Sequence, residues 1–235
     1  MAGALMEAVV LAGGRGTRLA AVVPDLPKPM APIAGVPFLS YLLQTLVDNG
    51  FTRVVLSIGH RAEAIRSYYG DRFKSLELAY CEEASPLGTG GGIRAAMRVA
   101  RAERVFVVNG DTLAGVDYRA MLAAHPDDEL IVALTPVPDV ARYGSVGVAD
   151  GRIAAFREKG SHGPGYINAG VYLMRRELLE SLGLPEAFSF EADVLVARRD
   201  SVRPAAFPAS GYFIDIGMPD DYQRAQTELP QQIAL

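Results

Sequence analysis

EAVVLAGGRGTRLAAVVPDLPKPMAP, residues 7–32, is the stretch from which the rest of this chain can be read. Its opening, Ala8-Val9-Val10-Leu11-Ala12, is short, apolar, rich in β-branched residues and ended by glycine. That is the pattern of a buried strand, the first of a parallel sheet. It runs straight into Gly13-Gly14-Arg15-Gly16-Thr17-Arg18. Glycines without Cβ atoms let backbone N–H groups approach a phosphate closely. Arg15, Arg18 and, further on, Lys28 add positive charge. A loop of this kind at the carboxyl end of a strand is a place to hold a polyphosphate. The competing reading is an ordinary glycine-rich turn with surface arginines. Two familiar phosphate motifs fail here. Gly14-Arg15-Gly16-Thr17-Arg18-Leu19 lacks the third glycine of a dinucleotide fingerprint, and the chain has no Gly-Lys pair for a P-loop. Pro24, Pro27, Pro29 and Pro32 exclude a regular helix directly after the loop, so Lys28 is carried on an extended segment.

Length and composition set the frame. At 235 residues and 50% hydrophobic content, the chain can bury a substantial core as one α/β domain. A net charge of −4 gives no footprint for nucleic acid. The single cysteine, Cys81, permits no internal disulfide and reads as a buried, inert thiol. No apolar run approaches the roughly 18 residues of a membrane span, and no basic leader precedes an apolar core. The expectation is a soluble, cytoplasmic protein.

Further along, strands are expected at 53–58, 76–81, 105–108 and 130–134, and helices at 38–49, 62–69, 93–100 and 118–124. Residues 84–92 read as a second glycine-rich loop before the third helix. Strands alternating with helices argue for a doubly wound, mostly parallel mixed sheet of Rossmann-like type. After Pro138 the texture changes. Segments 145–149 and 152–156 flank Asp150-Gly151, a hairpin signal. A strand at 167–174, helices near 176–181 and 191–198, strands at 202–207 and 211–216, and a helix from Pro219 complete the chain. With no long linker, one domain is expected over 1–235, its nucleotide part at about 1–135 and its substrate part at about 136–235.

In open α/β sheets, ligands bind at the carboxyl ends of the strands. Asp111 follows an apolar strand through Asn109-Gly110. Alone, it reads equally as a helix cap or as a ligand for a divalent ion over a triphosphate. Asp215, in Gly211-Tyr212-Phe213-Ile214-Asp215-Ile216-Gly217, is a second isolated carboxylate at a strand end. Mg²⁺ takes one or two protein carboxylates and leaves its other positions to phosphate and water, which suits such a pair. His60, His125 and His162 show no metal-ligand spacing.

The combination L-A-G-G-x-G-T-R-L with P-K-P-M-x-P resembles the signature of the sugar-1-phosphate nucleotidylyltransferases, which make nucleotide-sugars from an NTP and a sugar phosphate. Four later motifs, in the same order, extend the resemblance over nearly the whole chain. It implies a nucleotide held by Leu11, Ala12, Gly13, Gly14, Gly16, Thr17, Arg18, Glu83, Gly88 and Thr89. It implies Arg15, Lys28 and Asp111 as catalytic groups, with Mg²⁺ on Asp111 and Asp215. Tyr143-Gly144-Ser145-Val146, Phe156-Arg157-Glu158-Lys159 and Ile167-Asn168-Ala169-Gly170-Val171-Tyr172 resemble the sugar-phosphate segments, implying roles for Gly144, Glu158, Lys159 and Asn168. From the residues alone, Glu158-Lys159 is equally a surface ion pair. Glu83, or else Glu82, stands where the family contacts the base. A carboxylate can accept from both N1–H and the exocyclic amine of guanine, which favours GTP. Within the family, the resemblance is nearest to the short guanylyltransferases that act on D-glycero-D-manno-heptose 1-phosphate, makers of capsule or lipopolysaccharide precursors. Mannose-1-phosphate guanylyltransferases and uridylyl- or thymidylyltransferases for hexose or muramate phosphates are the alternatives. A glycosyltransferase would show a D-x-D motif, which is absent. A non-catalytic nucleotide-sugar sensor is the reading of a different class, and Arg15, Lys28 and Asp111 are all present against it. Partners are small molecules, with no nucleic acid or membrane expected; a homodimer is left open.

Overall fold

The structure is a computed structural model that describes residues 5–14, 26–157 and 159–235. Strand β1 (Glu7–Leu11) is followed by a 3₁₀ turn (Lys28–Met30), a small hairpin of β2 (Pro32–Ile33) and β3 (Val36–Pro37), and helix α1 (Phe38–Asp48). Then come β4 (Arg53–Ile58), α2 (Ala62–Tyr69), β5 (Arg72–Phe73), β6 (Leu76–Glu82) and α3 (Gly88–Val99). Next are β7 (Arg104–Asn109), β8 (Thr112–Ala114), α4 (Tyr118–Ala124) and β9 (Leu130–Val137). The second half holds β10 (Ser145–Ala149), β11 (Arg152–Arg157), β12 (Gly165–Arg175), α5 (Leu178–Ser181) and a π-helical segment (Phe190–Val196). It ends with α6 (Arg199–Val202), β13 (Ala205–Pro208), β14 (Phe213–Asp215) and α7 (Pro219–Gln232).

A ten-stranded sheet in the order β10-β11-β13-β9-β12-β7-β1-β4-β6-β5 runs through both halves. Strands β1, β4, β6, β7, β9, β10 and β13 point one way, and β5, β11 and β12 the other. The chain leaves β1 toward β4 and β6 and returns to its other side with β7, so the order reverses between β1 and β7, the usual place for a ligand. The two-residue period of β1 divides the core. Ala8 and Val10 pack with Leu39, Leu42 and Ile65, while Val9 packs on the opposite face with Ile93, Met97 and Val194. A third cluster gathers Phe38, Leu113, Ile214, Ile216 and Leu229 beneath a two-stranded ribbon of β8 and β14. No helix among the described residues is long and apolar enough to cross a membrane.

The hairpin expected at Asp150-Gly151 forms with both residues at positive φ (50° and 71°), the turn whose twist matches paired strands. Other expectations shift. Residues 88–92 are no loop: they form the first turns of α3. Glycine costs about 1 kcal/mol each in a helix, but tertiary packing overrides that here. Gly90 lies against the Phe188 ring so closely that a Cβ would collide with it, and a Cβ on Gly91 would stand 2.6 Å from the Glu186 carbonyl oxygen. The helix near 176–181 shrinks to Leu178–Ser181, because β12 continues to Arg175 and the Arg176 N–H bonds the Glu103 carbonyl at 2.9 Å. The helix at 191–198 is instead the π-helical segment over Phe190–Val196. The strand at 202–207 begins only at Ala205, since α6 and a left-handed Arg203 (φ 49°) precede it. The strand at 211–216 is confined to Phe213–Asp215.

Candidate active site

The carboxyl end of β7 is the centre of the site. Asn109 pairs with Leu11 of β1, and the Gly110 N–H then bonds the Leu11 carbonyl at 3.0 Å. No side chain fits at Gly110, whose Cβ would meet that carbonyl oxygen, so the chain can turn there only as glycine. Asp111 emerges from this turn directly before β8. The β8–β14 register sets Thr112 opposite Asp215, and the Ile216 N–H bonds the Asp111 carbonyl at 3.0 Å. Two aspartates over a hundred residues apart in sequence are thus made neighbours by a short antiparallel ribbon. Ile214 and Ile216, both fully buried, anchor that ribbon against α7. Each is worth roughly 1.5–3 kcal/mol of burial.

Lys28 bridges the pair. Its ammonium forms an ion pair with Asp111 Oδ2 and stands 3.8 Å from Asp215 Oδ1. The Lys28 side chain is 10% exposed, and an ammonium so withdrawn from water needs anionic partners. Pro27 and the 3₁₀ turn over Lys28–Met30 fix where the side chain starts. Asp215 Oδ1 also accepts from the Gly217 N–H at 2.7 Å, and Asp111 Oδ1 from the Thr112 hydroxyl at 3.2 Å. A Cβ on Gly217 would lie 2.5 Å from Lys28 Nζ, so a side chain there would displace the ammonium.

On one side of this centre lies a cavity of about 480 Å³ lined by Leu11, Gly13, Gly14, Glu83, Gly88 and Thr89, with Ser57, Gly59, His60 and Gly92. Ala12 backs it from the core, its N–H on the Ser57 carbonyl at 2.8 Å. Glu83 projects into it. Oε1 accepts from the Ser57 hydroxyl at 3.3 Å and Oε2 from the Leu87 N–H at 3.1 Å. A carboxylate has about four lone-pair sites, so acceptor capacity remains for a ligand. Glu82 points elsewhere, to an exposed ion pair with Arg66 at 3.2 Å, so of the two glutamates it is Glu83 that lines the cavity.

On the other side, β12 runs against its neighbours, so its early residues lie at the carboxyl ends of the parallel strands. The turn at Gly170 (φ 70°) approaches Asn109, and the β12–β9 register breaks between Asn168 and Tyr172. This irregularity turns Asn168 into a second cavity of about 170 Å³, also lined by Gly144, Tyr143, Phe156, Arg157 and Glu191. Asn168 Nδ2 donates to the Tyr172 hydroxyl at 2.8 Å, and Oδ1 accepts from the Gly170 N–H at 3.0 Å. Burial, with Glu191 and Asp111 nearby, pushes the Tyr172 phenol well above its ordinary pKa, so it stays protonated. Lys159 is exposed after β11, outside the residues lining this cavity. Arg15, Gly16, Thr17, Arg18 and Glu158 lie outside the described residues.

Sequence reasoning missed two groups. Glu191 stands on a segment with no motif of its own. Asp221, 2% exposed, accepts from Arg142 and Arg224, each at 3.0 Å, and its Oδ2 lies 3.4 Å from the Tyr143 hydroxyl. It ties the segment before Gly144 to α7. In sequence Asp220-Asp221 reads only as favourable helix-dipole charge at the start of α7, and the burial of Asp221 is a tertiary fact.

The sequence profile of the nucleotidyl transferase family matches residues 7–232. A protein of Aneurinibacillus thermoaerophilus called D-glycero-alpha-D-manno-heptose 1-phosphate guanylyltransferase is 45% identical over 230 residues, 97% of this chain and 100% of that protein. One of the same name from Campylobacter jejuni is 36% identical, covering 92% of this chain and 97% of that protein. The crystal structure of HddC from Yersinia pseudotuberculosis superimposes with a TM-score of 0.87 at 38% identity, covering 94% of this chain and 98% of that one. A second structure of HddC, complexed with GMP-PN, gives 0.86.

Proposed function

Because the chain belongs to the nucleotidyl transferase family, we propose that it transfers guanylyl from GTP to D-glycero-α-D-manno-heptose 1-phosphate, giving a GDP-sugar and pyrophosphate. The observation that carries this reading is the convergence of Lys28, Asp111 and Asp215 between two cavities. The names of the relatives, and the nucleotide analogue in the HddC complex, support the choice of substrates. In the larger cavity, the free acceptor capacity of Glu83 suits the two N–H groups on the guanine edge. The cytosol, where GTP is made, is the matching compartment.

In this mechanism a phosphate oxygen of the sugar 1-phosphate attacks the α-phosphorus in line, the bond to the β-phosphate oxygen breaks, and pyrophosphate leaves. The nucleophile is already anionic, so no strong base is required. The difficulty is charge: two anions must meet, and negative charge grows on the phosphoryl oxygens. Lys28 exchanges its carboxylate partners for oxygens of the α-phosphate and the incoming phosphate. Arg15 holds the leaving pyrophosphate, and Gly13, Gly14, Gly16, Thr17 and Arg18 surround the triphosphate. Gly144, Glu158 and Asn168 hold the sugar, and Lys159 its phosphate.

Asp111 and Asp215 fit a divalent ion: two hard oxygen donors on adjacent strand ends already converge on a cation, Lys28. No group of three or more candidate ligands occurs among the described residues, so phosphate and water would complete the shell of Mg²⁺. When bound, the ion neutralises phosphate charge.

Pyrophosphate release across ATP, GTP, CTP and UTP, each with heptose, mannose, glucose and muramate 1-phosphates, tests the reading. The expected maximum is GTP with heptose 1-phosphate. A maximum with mannose 1-phosphate would correct the sugar, and no release with any pair would overturn the reading.

A further inference from the structure

We propose that Glu191 is the sugar-selecting residue: its carboxylate accepts hydrogen bonds from hydroxyls at the end of the sugar remote from the anomeric phosphate. The inference rests on the proposed function and deepens it. Glu191 is exposed in the smaller cavity and has no cationic partner among the described residues. Among the described residues its carboxylate makes one hydrogen bond, a long one, 3.5 Å from Oε1 to Asn168 Nδ2. Asn168, by contrast, already spends one amide proton on Tyr172 and one oxygen lone pair on the Gly170 N–H, and keeps only a neutral acceptor site for the sugar. That leaves Glu191 as the strongest acceptor with capacity to spare in this cavity.

Its placement is rigid. The Phe190 N–H bonds the Thr89 hydroxyl oxygen at 2.9 Å, and the buried Phe190 ring packs edge-on against Tyr172, 4.9 Å between centroids. Ser189 caps the segment through the Ala192 N–H at 3.1 Å, while Asp193 accepts from the Ser189 N–H at 2.8 Å. π-helical turns recur at functional sites. Charge sets the orientation of the sugar. A carboxylate repels the phosphate and welcomes hydroxyl donors, so the anion lies toward Lys28 and the far hydroxyls lie toward Glu191. Arg157, on the same cavity and without an ion-pair partner among the described residues, can donate to the same hydroxyls.

The test compares Glu191→Gln with wild type by steady-state kinetics, using the best sugar 1-phosphate and its analogues deoxygenated at C4 or C6. The expected result is a KM for the sugar phosphate raised roughly tenfold to a hundredfold, as for loss of a charge-assisted bond. KM for GTP stays within twofold, and the variant's discrimination against at least one deoxy analogue collapses. An unchanged KM for the sugar phosphate, with discrimination intact, overturns the proposal. Should that variant lose GTP affinity or thermal stability, Glu191→Asp, which keeps the charge but withdraws it by one methylene, decides: a raised KM for the sugar phosphate with weakened discrimination against a deoxy analogue supports the proposal, and kinetics equal to wild type overturn it. Wild type inactive with every sugar phosphate would instead defeat the enzymatic reading itself.

Discussion

The larger cavity is rich in glycine and the smaller in large side chains. Gly13, Gly14, Gly59, Gly88 and Gly92 line the first, whereas Tyr143, Phe156, Arg157, Asn168 and Glu191 line the second. A triphosphate is recognised well by N–H groups and room, which glycines at a helix start and a strand end provide. A sugar is distinguished only by the placement of its hydroxyls, which calls for side chains fixed in position. The two walls also differ in origin. The first comes from consecutive βα turns of the parallel half. The second is assembled from four separate segments around one irregular, reversed strand, β12.

The sharpest way to break this comparison is at the boundary, where both substrates need the same cation. Lys28→Ala is expected to lower turnover about a thousandfold, the scale of losing a preorganised charge at the phosphoryl group. The melting temperature should change little. Retention of a tenth of wild-type pyrophosphate release would refute the assignment of Lys28. On the nucleotide side, a Cβ at Gly92 would stand 2.7 Å from Glu83 Oε1 and 3.3 Å from the Ser57 hydroxyl. Gly92→Ala should therefore displace Glu83 and weaken GTP binding roughly tenfold. Alanine is the better helix former by about 1 kcal/mol, so stability should hold or rise. Isothermal titration and thermal melts read the two effects separately, and a stable variant with unaltered GTP affinity would show that Glu83 does not contact the base. The sugar side should answer more mildly through Asp221. Replacing its buried charge in Asp221→Asn loosens Arg142 and Tyr143 from α7. The expected result is a severalfold higher KM for the sugar phosphate, KM for GTP unchanged, and a loss of roughly 2 kcal/mol in urea unfolding. A rise in KM for GTP alone would reverse the assignment of sides.

The same contrast explains what the sequence revealed. The strand Glu7–Leu11, the Asp150-Gly151 hairpin and the two aspartates were legible because each rests on local chemistry: period, turn residues, a lone carboxylate at a strand end. That Asp111 and Asp215 meet depends on the β8–β14 register, a long-range pairing that spacing does not encode. The glycines of 88–92 looked like a loop because their reason for being glycine, the closeness of Phe188 and Glu186, lies about a hundred residues away. Glu191 and Asp221 were invisible for the same cause. Their surroundings are tertiary, and nothing in their neighbours marks a buried or cavity-facing carboxylate. Arg15 and Glu158, which the resemblance singles out, fall outside the described residues.

In the proposed mechanism one divalent cation and one triphosphate share the ground between Lys28, Asp111 and Asp215. Crystals grown with Mn²⁺ and a non-hydrolysable GTP analogue test it through anomalous scattering. The account predicts one strong peak liganded by carboxylate oxygens of both aspartates, with the Lys28 ammonium moved onto phosphate oxygens. A peak bound away from either aspartate, or Lys28 still locked between them with nucleotide present, would contradict it.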